Sequence, residues 1–229
     1  MNGEVVLVTG ANGGLGSYVT RAFLDAGASV AGTARAIEQS DFAHRGFMAI
    51  PADITTQNGA NVLIQQVMAR FGKLRVLVHT VGGFAGGRTV EETDDATMQK
   101  MMDLNFNSLF YLVRAAIPAL RASGDGRLIA IGSRAAVDPG PAVGAYSASK
   151  AAMVSLIRTI AAENRDTGLR ANAILPGTID TPGNHKAMPN ADVSKWVQPA
   201  AIASLVVWLA GDAGKEISGA LIPMYGKEN

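Results

Sequence analysis

Short apolar runs alternate with longer stretches of helical periodicity from one end of the chain to the other. Val5–Thr9, Ser29–Thr33, Phe47–Pro51, Leu74–Thr80, Arg127–Ser133, Arg170–Leu175 and Ala220–Met224 read as seven strands. Few polar residues interrupt them, as expected of parallel strands covered on both faces. Helices are predicted near 14–26, 57–71, 94–122, 145–166 and 198–210. Repeated strand–helix–strand units of this kind predict an α/β fold: a doubly wound sheet of seven mostly parallel strands with helices on both faces. No Pro/Gly/Ser-rich linker, charge block or repeat divides the chain, so a single domain is expected over 1–229. The one long irregular stretch carries Pro176, Gly177, Pro182, Gly183 and Pro189. Long loops at the carboxyl ends of parallel strands border ligands, so a short substrate lid is expected at about 177–197.

Composition narrows the chemistry. The chain has 229 residues, 17% of them charged against about 25% in an average domain, and 26 glycines, which suits one large core with close helix packing. Its net charge of +1 gives no global field for nucleic acid or an anionic membrane. With no cysteine, disulfides, thiol redox chemistry and thiolate zinc sites are excluded. His44, His79 and His185 show no metal-ligand spacing, so no metal is expected. No basic leader precedes Val5, and the run Ile202–Ala210 falls well short of the ~20 residues of a membrane helix. A soluble, cytoplasmic protein acting on a small molecule is expected.

Strand Val5–Thr9 leads into Thr9-Gly10-Ala11-Asn12-Gly13-Gly14-Leu15-Gly16 and then a helix. Glycines there let the backbone turn tightly and approach a pyrophosphate, whose charge the helix N-terminus meets. The G-x-G-x-x-G spacing of many dinucleotide sites fails at Val19, whereas T-G-x-x-x-G-x-G fits. This predicts a Rossmann-type domain. After the second strand stands Arg35, with no carboxylate from Ala26 to Ile37. A cation at that place suits the 2′-phosphate of NADP(H), with NAD(H) as the alternative and a solvated surface arginine as the bland reading. Asp53, followed by Ile54, is placed either to accept from an adenine amino group or to cap a helix, in competition with Thr55 and Thr56.

Tyr146 and Lys150 are four residues apart on a predicted helix, hence on one face. A tyrosine, with an ordinary pKa near 10, becomes a usable general acid or base when neighbouring positive charge favours its phenolate. Ser133 ends the fifth predicted strand, thirteen residues before Tyr146, where it either holds a substrate oxygen or caps a turn. Asn105 lies inside an apolar helical stretch, an unfavourable place that holding a water near Lys150 would justify, as would solvent exposure.

Taken together, Thr9-Gly10 with Gly14-Leu15-Gly16, Asp53-Ile54, Asn105, Ser133, Tyr146 with Lys150, and Pro176-Gly177 with Thr181 resemble the short-chain dehydrogenase/reductase family over essentially the whole chain. The resemblance implies a homotetramer or homodimer and hydride transfer between a nicotinamide and a carbonyl or secondary alcohol. It implies that Tyr146 moves the proton, Ser133 holds the carbonyl oxygen, Lys150 lowers the tyrosine pKa and grips the nicotinamide ribose, and Asn105 anchors a water relay. Gly10, Asn12, Gly13, Gly14, Leu15, Gly16, Arg35, Asp53, Ile54, Thr80, Val81 and Gly82 become the expected cofactor residues. Pro176, Gly177, Ile179 and Thr181 join them at the carboxamide end.

Two stretches depart from the usual pattern. His79-Thr80-Val81-Gly82 replaces the family's Asn-Asn-Ala-Gly, and His79, at a buried strand end, is read as a hydrogen-bonded structural residue. The lid, together with Gly82-Gly83-Phe84-Ala85-Gly86-Gly87, is similar to the quinonoid dihydropteridine reductases, although Ser133 and Arg35 differ from them. A reductase of C=N bonds is therefore the alternative activity, and a non-catalytic NADP-binding sensor a more distant one. Phe84, Met188 and Trp196 are candidates for a substrate pocket, Trp196 equally for a staple holding the lid. Phe106–Ile117 and residues 151–157 are apolar nearly all round, which predicts an isologous subunit interface through the helices of Asn105 and Tyr146.

Overall fold

In the computed structural model, which describes residues 1–227, the seven strands form one sheet in the order β3-β2-β1-β4-β5-β6-β7. They are β1 (Val5–Thr9), β2 (Ser29–Thr33), β3 (Phe47–Ala49), β4 (Val76–His79), β5 (Arg127–Ile131), β6 (Arg170–Pro176) and β7 (Leu221–Met224). Every neighbouring pair is parallel, so the expected "mostly parallel" sheet is parallel throughout. The last two positions of the expected domain, 228 and 229, lie outside the described residues.

The major helices are α1 (Gly16–Asp25), α2 (Gln57–Phe71), α3 (Asp95–Met102), α4 (Ser108–Ala122), α5 (Gly144–Glu163), the short α6 (Pro182–Ala187) and α7 (Pro199–Ala210). Apolar stripes of α2, α4 and α5 cover one face of the sheet, with Leu63, Leu109, Leu112 and Ile157 fully buried. Those of α1 and α7 cover the other, through Val19, Phe23, Ile202 and Val206. Both faces of β1, β4 and β5 are thereby sealed, which is why their sequences read as unbroken apolar runs.

The predicted helix over 94–122 is divided: a π-helical turn, Asp103–Asn107, joins α3 to α4. Local signals place the other ends. Thr56 caps α2 by accepting from the Gly59 amide at 3.1 Å, and Gly72 closes that helix at φ 70° in the left-handed region where glycine is favoured. Sheet order reverses between β1 and β4, so a crevice opens at their carboxyl ends, the topological switch point where doubly wound sheets bind ligands. None of the helices among the described residues is long and apolar enough to cross a membrane.

Candidate active site

The glycine loop runs from Gly10 to Gly16 along the wall of this crevice. Gly10 has φ +64°, and a Cβ on Gly16 would lie 1.9 Å from the Gly10 carbonyl oxygen, so the loop closes this tightly only with glycine at Gly16. Leu15 and Gly16 are buried, while Asn12, Gly13 and Gly14 are exposed. The first turn of α1 carries no acidic residue and its N-terminus has no side-chain cap, leaving backbone N–H groups and the positive end of the helix dipole turned outward. That arrangement fits a pyrophosphate. Thr80 braces the loop from β4: its hydroxyl donates to the Thr9 carbonyl at 2.6 Å and fills the space beside Gly10.

On the side where the adenosine is expected, Arg35 is exposed just beyond β2, and its charge reaches Asp53. Asp53 accepts from the Thr55 hydroxyl at 2.6 Å and the Thr55 amide at 3.0 Å, bonds that hold its carboxyl below the ordinary carboxylate range. The cap of α2 belongs to Thr56 instead, so Asp53 is not spent on the helix. Ile54 is buried in the core. One contact was not expected from the sequence. The Asn12 side-chain amide donates to the Ala36 carbonyl at 2.7 Å and to Asp41 Oδ2 at 2.9 Å, clasping the glycine loop to the segment after β2.

The candidate reacting groups Ser133, Tyr146 and Lys150 come together between the end of β5 and the first turns of α5. Ser133, two residues past β5, caps a short 3-10 turn by accepting from the Ala135 amide at 3.2 Å. The turn-capping reading of this serine therefore holds, and its hydroxyl also hydrogen-bonds Tyr146. Burial raises the Tyr146 phenol above its ordinary pKa, and the bond to Ser133 pulls the other way. Lys150 is buried and pushed down to about 8 by that burial, and its ammonium donates to the Ile131 carbonyl at 3.0 Å. The expected lowering of the tyrosine by Lys150 is thus not what this geometry displays; Ser133 opposes the effect of burial while the lysine head is turned to β5.

Asn105 lies on the π-helical turn and is fully buried, not solvent-exposed. Its carbonyl oxygen accepts from the Gly83 amide at 2.8 Å, and its amide donates to the Gly83 carbonyl at 3.0 Å and to Ser149 Oγ at 3.0 Å. Ser149 in turn donates to the Tyr146 carbonyl at 2.7 Å. A Cβ on Gly82 would stand 2.9 Å from Asn105 Oδ1 and 3.1 Å from Lys150 Nζ. Gly82, Asn105 and Lys150 therefore meet, and Ser149, three residues after Tyr146, is the link that the sequence pattern did not single out.

His79 is sealed at the end of β4 and hydrogen-bonded, as its position suggested. Ser108 donates its proton to the Leu104 carbonyl at 2.7 Å, so at 3.4 Å it accepts from His79 Nε2. Thr9 Oγ1 accepts from the Thr80 amide at 3.2 Å and therefore gives its proton to His79 Nδ1 at 3.1 Å. The ring is a neutral Nε2–H tautomer, driven down to about 3 by burial and by the Lys150 charge.

Over the crevice, Pro176 ends β6 and the Gly177 amide donates to the Met224 carbonyl at 2.9 Å. Ile179 bridges to Val197, and Thr181 caps α6 while touching the glycine loop, 3.0 Å from where a Gly14 Cβ would be. Asp180 bonds His185 and Gln198, contacts that lower its pKa, and the His185 ring stands edge-on to Trp196 with centroids 5.0 Å apart. Trp196 is buried beneath it, in the position of a staple, whereas Met188 is exposed. Phe84 is 67% exposed and meets the Tyr146 ring edge-on at 5.0 Å. Phe84 is the one of the three pocket candidates that touches a reacting group.

Known proteins resemble this chain over nearly all of its length. The sequence model of the family described as short chain dehydrogenase matches residues 4–192. The chain is 33% identical to a rhamnolipids biosynthesis 3-oxoacyl-acyl-carrier-protein reductase of Pseudomonas aeruginosa, over 98% of its own length and 95% of that protein. It is 30% identical to L-fucose dehydrogenase of Mus musculus, over 93% and 84%. Among solved structures, the Pseudomonas aeruginosa RhlG/NADP active-site complex superposes with a TM-score of 0.90 at 30% identity, covering 99% of this chain and 96% of that one. Ligand-free aldohexose dehydrogenase of Thermoplasma acidophilum gives the same TM-score at 26% identity, over 99% and 94%.

Proposed function

The chain belongs to the short chain dehydrogenase family, and from that membership we propose that it is an NADP(H)-preferring reductase of a small carbonyl compound, with Tyr146 as its proton donor. Hydride transfer with a nicotinamide cofactor follows from the family. The carbonyl substrate, the direction and the roles of individual residues are our reading. The observation that carries it is the Ser133–Tyr146 hydrogen bond, set at the crevice with Lys150 one helical turn further along α5.

When bound, the nicotinamide supplies the hydride. Tyr146, its pKa raised by burial, keeps its proton at neutral pH and presents an O–H donor to the carbonyl oxygen. Ser133 spends a lone pair on the Ala135 amide, and with a carbonyl in place its O–H turns from Tyr146 to that oxygen and steadies it as charge develops. Lys150 carries positive charge below about pH 8 and, with Asn105 and Gly82, forms the floor on which the cofactor ribose is read. Arg35 supports the preference for a 2′-phosphate, and the NADP complex of the Pseudomonas relative is consistent with it. Phe84 gives the reacting oxygen an apolar neighbour and is assigned to the substrate side with Met188. The lid at 177–197 closes over both, and α4 and α5 are assigned to a homodimer or homotetramer interface.

Tyr146→Phe tests this assignment. With a ketone selected as a substrate from a panel of ketones, sugars and acyl thioesters, kcat/KM is expected to fall by about 10²–10⁴. The NADPH dissociation constant should stay within a few-fold. Turnover retained at the wild-type level removes the tyrosine from the mechanism.

A further inference from the structure

The Asn12–Asp41 clasp bears on which dinucleotide the crevice takes, an inference that rests on the reading of the glycine loop as a nicotinamide dinucleotide site. Asn12 stands at the exposed tip of that loop, and both hydrogens of its amide are spent, on Ala36 and on Asp41. Its remaining polar atom, Oδ1, is an acceptor. Asp41 receives the Asn12 amide at 2.9 Å and the Glu38 amide at 3.1 Å, and both bonds fall on Oδ2. Its Oδ1 has no protein donor among the described residues. The rim next to Arg35 therefore offers two acceptors, one of them on a carboxylate.

The surrounding charges do not reverse this. Glu38 adds a second carboxylate, reciprocally bonded to the Asp41 backbone in the capping box of the 3-10 turn Gln39–Asp41. The Arg35 charge also acts on Asp53, and Arg21 lies over the Phe42 ring, 5.5 Å from its centroid. Two acceptors suit the hydroxyl donors of an unphosphorylated ribose, whereas a 2′-phosphate brings a dianion toward a fixed negative charge.

We propose that Asp41, held against the glycine loop by Asn12, reads the adenosine ribose hydroxyls and offsets part of the Arg35 charge, so that the preference of the site for NADP(H) over NAD(H) is narrow. Sequence position hides this carboxylate, since it lies six residues beyond Arg35 and returns to the crevice only through the turn and the clasp. Asp41 is a specificity-determining residue, distinct from the groups that move the proton.

Calorimetric titration of the full-length protein with NADPH and with NADH tests the proposal through binding alone. The wild-type protein is expected to bind NADPH more tightly than NADH, by less than about tenfold. Asp41→Asn, which keeps an acceptor for the Glu38 amide but loses the charge, should tighten NADPH by about tenfold and leave NADH unchanged or weaker. The gain should shrink as salt is raised. Arg35→Ala should move the ratio the other way. Should Asp41→Asn unfold, Asn12→Ser, which opens the clasp, should shift the ratio in the same direction as Asp41→Asn. An NADPH-to-NADH ratio unmoved within twofold by either of these two substitutions overturns the role of Asp41. If Arg35→Ala still weakens NADPH in that case, the dinucleotide reading stands without it; wild-type protein that binds neither cofactor overturns both.

Discussion

At the carboxyl end of β4, one line of hydrogen bonds runs from the Leu104 carbonyl through Ser108, His79 and the Thr9 hydroxyl to the Thr80 amide. It joins the start of α4 to the end of β1, where the glycine loop begins. The line works only with a neutral ring, because a second ring proton would oppose the Thr9 hydroxyl and place charge in a sealed site near Lys150. The unfolded chain takes up that proton at about 6.5, whereas the folded ring resists it until about 3. This contribution to stability is therefore fully present above about pH 6.5 and is lost as pH falls toward 3. Between pH 6.5 and 4.5 the loss should be about 2 kcal/mol. His79→Asn, which cannot titrate, should flatten urea-unfolding free energy over that window even if it lowers stability at pH 7. Equal slopes for the two proteins would mean that His79 is not sealed.

The π-helical turn Asp103–Asn107 shows what an element can do that its residues alone cannot. A regular helix through this stretch would carry Asn105 round to a different direction; the wider turn aims both ends of its amide at Gly83, and through Ser149 at the Tyr146 carbonyl. The loop that carries Phe84 is thereby pinned near its root, and at Gly87 its amide donates to the Ala142 carbonyl at 2.8 Å. Ala142 itself has φ 59°, in the left-handed region, just before the helix of Tyr146. Asn105→Ala should strip partners from the half-buried Gly83 peptide and from the buried Ser149 hydroxyl, costing about 1–3 kcal/mol at Ser149 and less at the peptide groups that water can reach. Urea unfolding should register that loss, and kcat should fall more than cofactor affinity; unchanged stability would contradict the clamp. The seven strands and the placement of Ser133 at a strand end near the helix of Tyr146 were legible because buried parallel strands and a strand–loop–helix order leave clear patterns. The π-turn was not, since one additional residue per turn does not disturb an apolar stretch, and strand ends were overrun where apolar residues such as Leu74 continue past the last ladder bond. Asp41 and Ser149 escaped because their partners, Asn12 and Asn105, are 29 and 44 residues away.

At the scale of the whole molecule, the apolar excess of α4 and α5 divides between core and surface. Leu109, Leu112, Val113, Met153, Val154 and Ile157 face the sheet, so much of the all-round apolar character seen in the sequence is ordinary burial. What stays outside is more particular. Phe110 is exposed and stacks on Phe106 at 6.0 Å, Arg114 covers the Phe110 and Tyr111 rings, and α5 presents Ala151 and Ser155 beside Arg158. Small residues on one helix and a planar aromatic–guanidinium stack on its neighbour allow two copies of this face to approach closely about a two-fold axis, in which each copy meets the same surface of the other. Because Asn105 and Tyr146 stand on this same helical layer, its packing should also steady the site. Light scattering at micromolar concentration is expected to give at least a dimer. Replacing Ala151 and Ser155 together by arginine puts bulk and like charge at the axis while leaving the buried face of α5 untouched. That variant should run as a monomer with a native circular dichroism spectrum and reduced turnover; a wild-type monomer, or a double variant that assembles as before, would place the interface elsewhere.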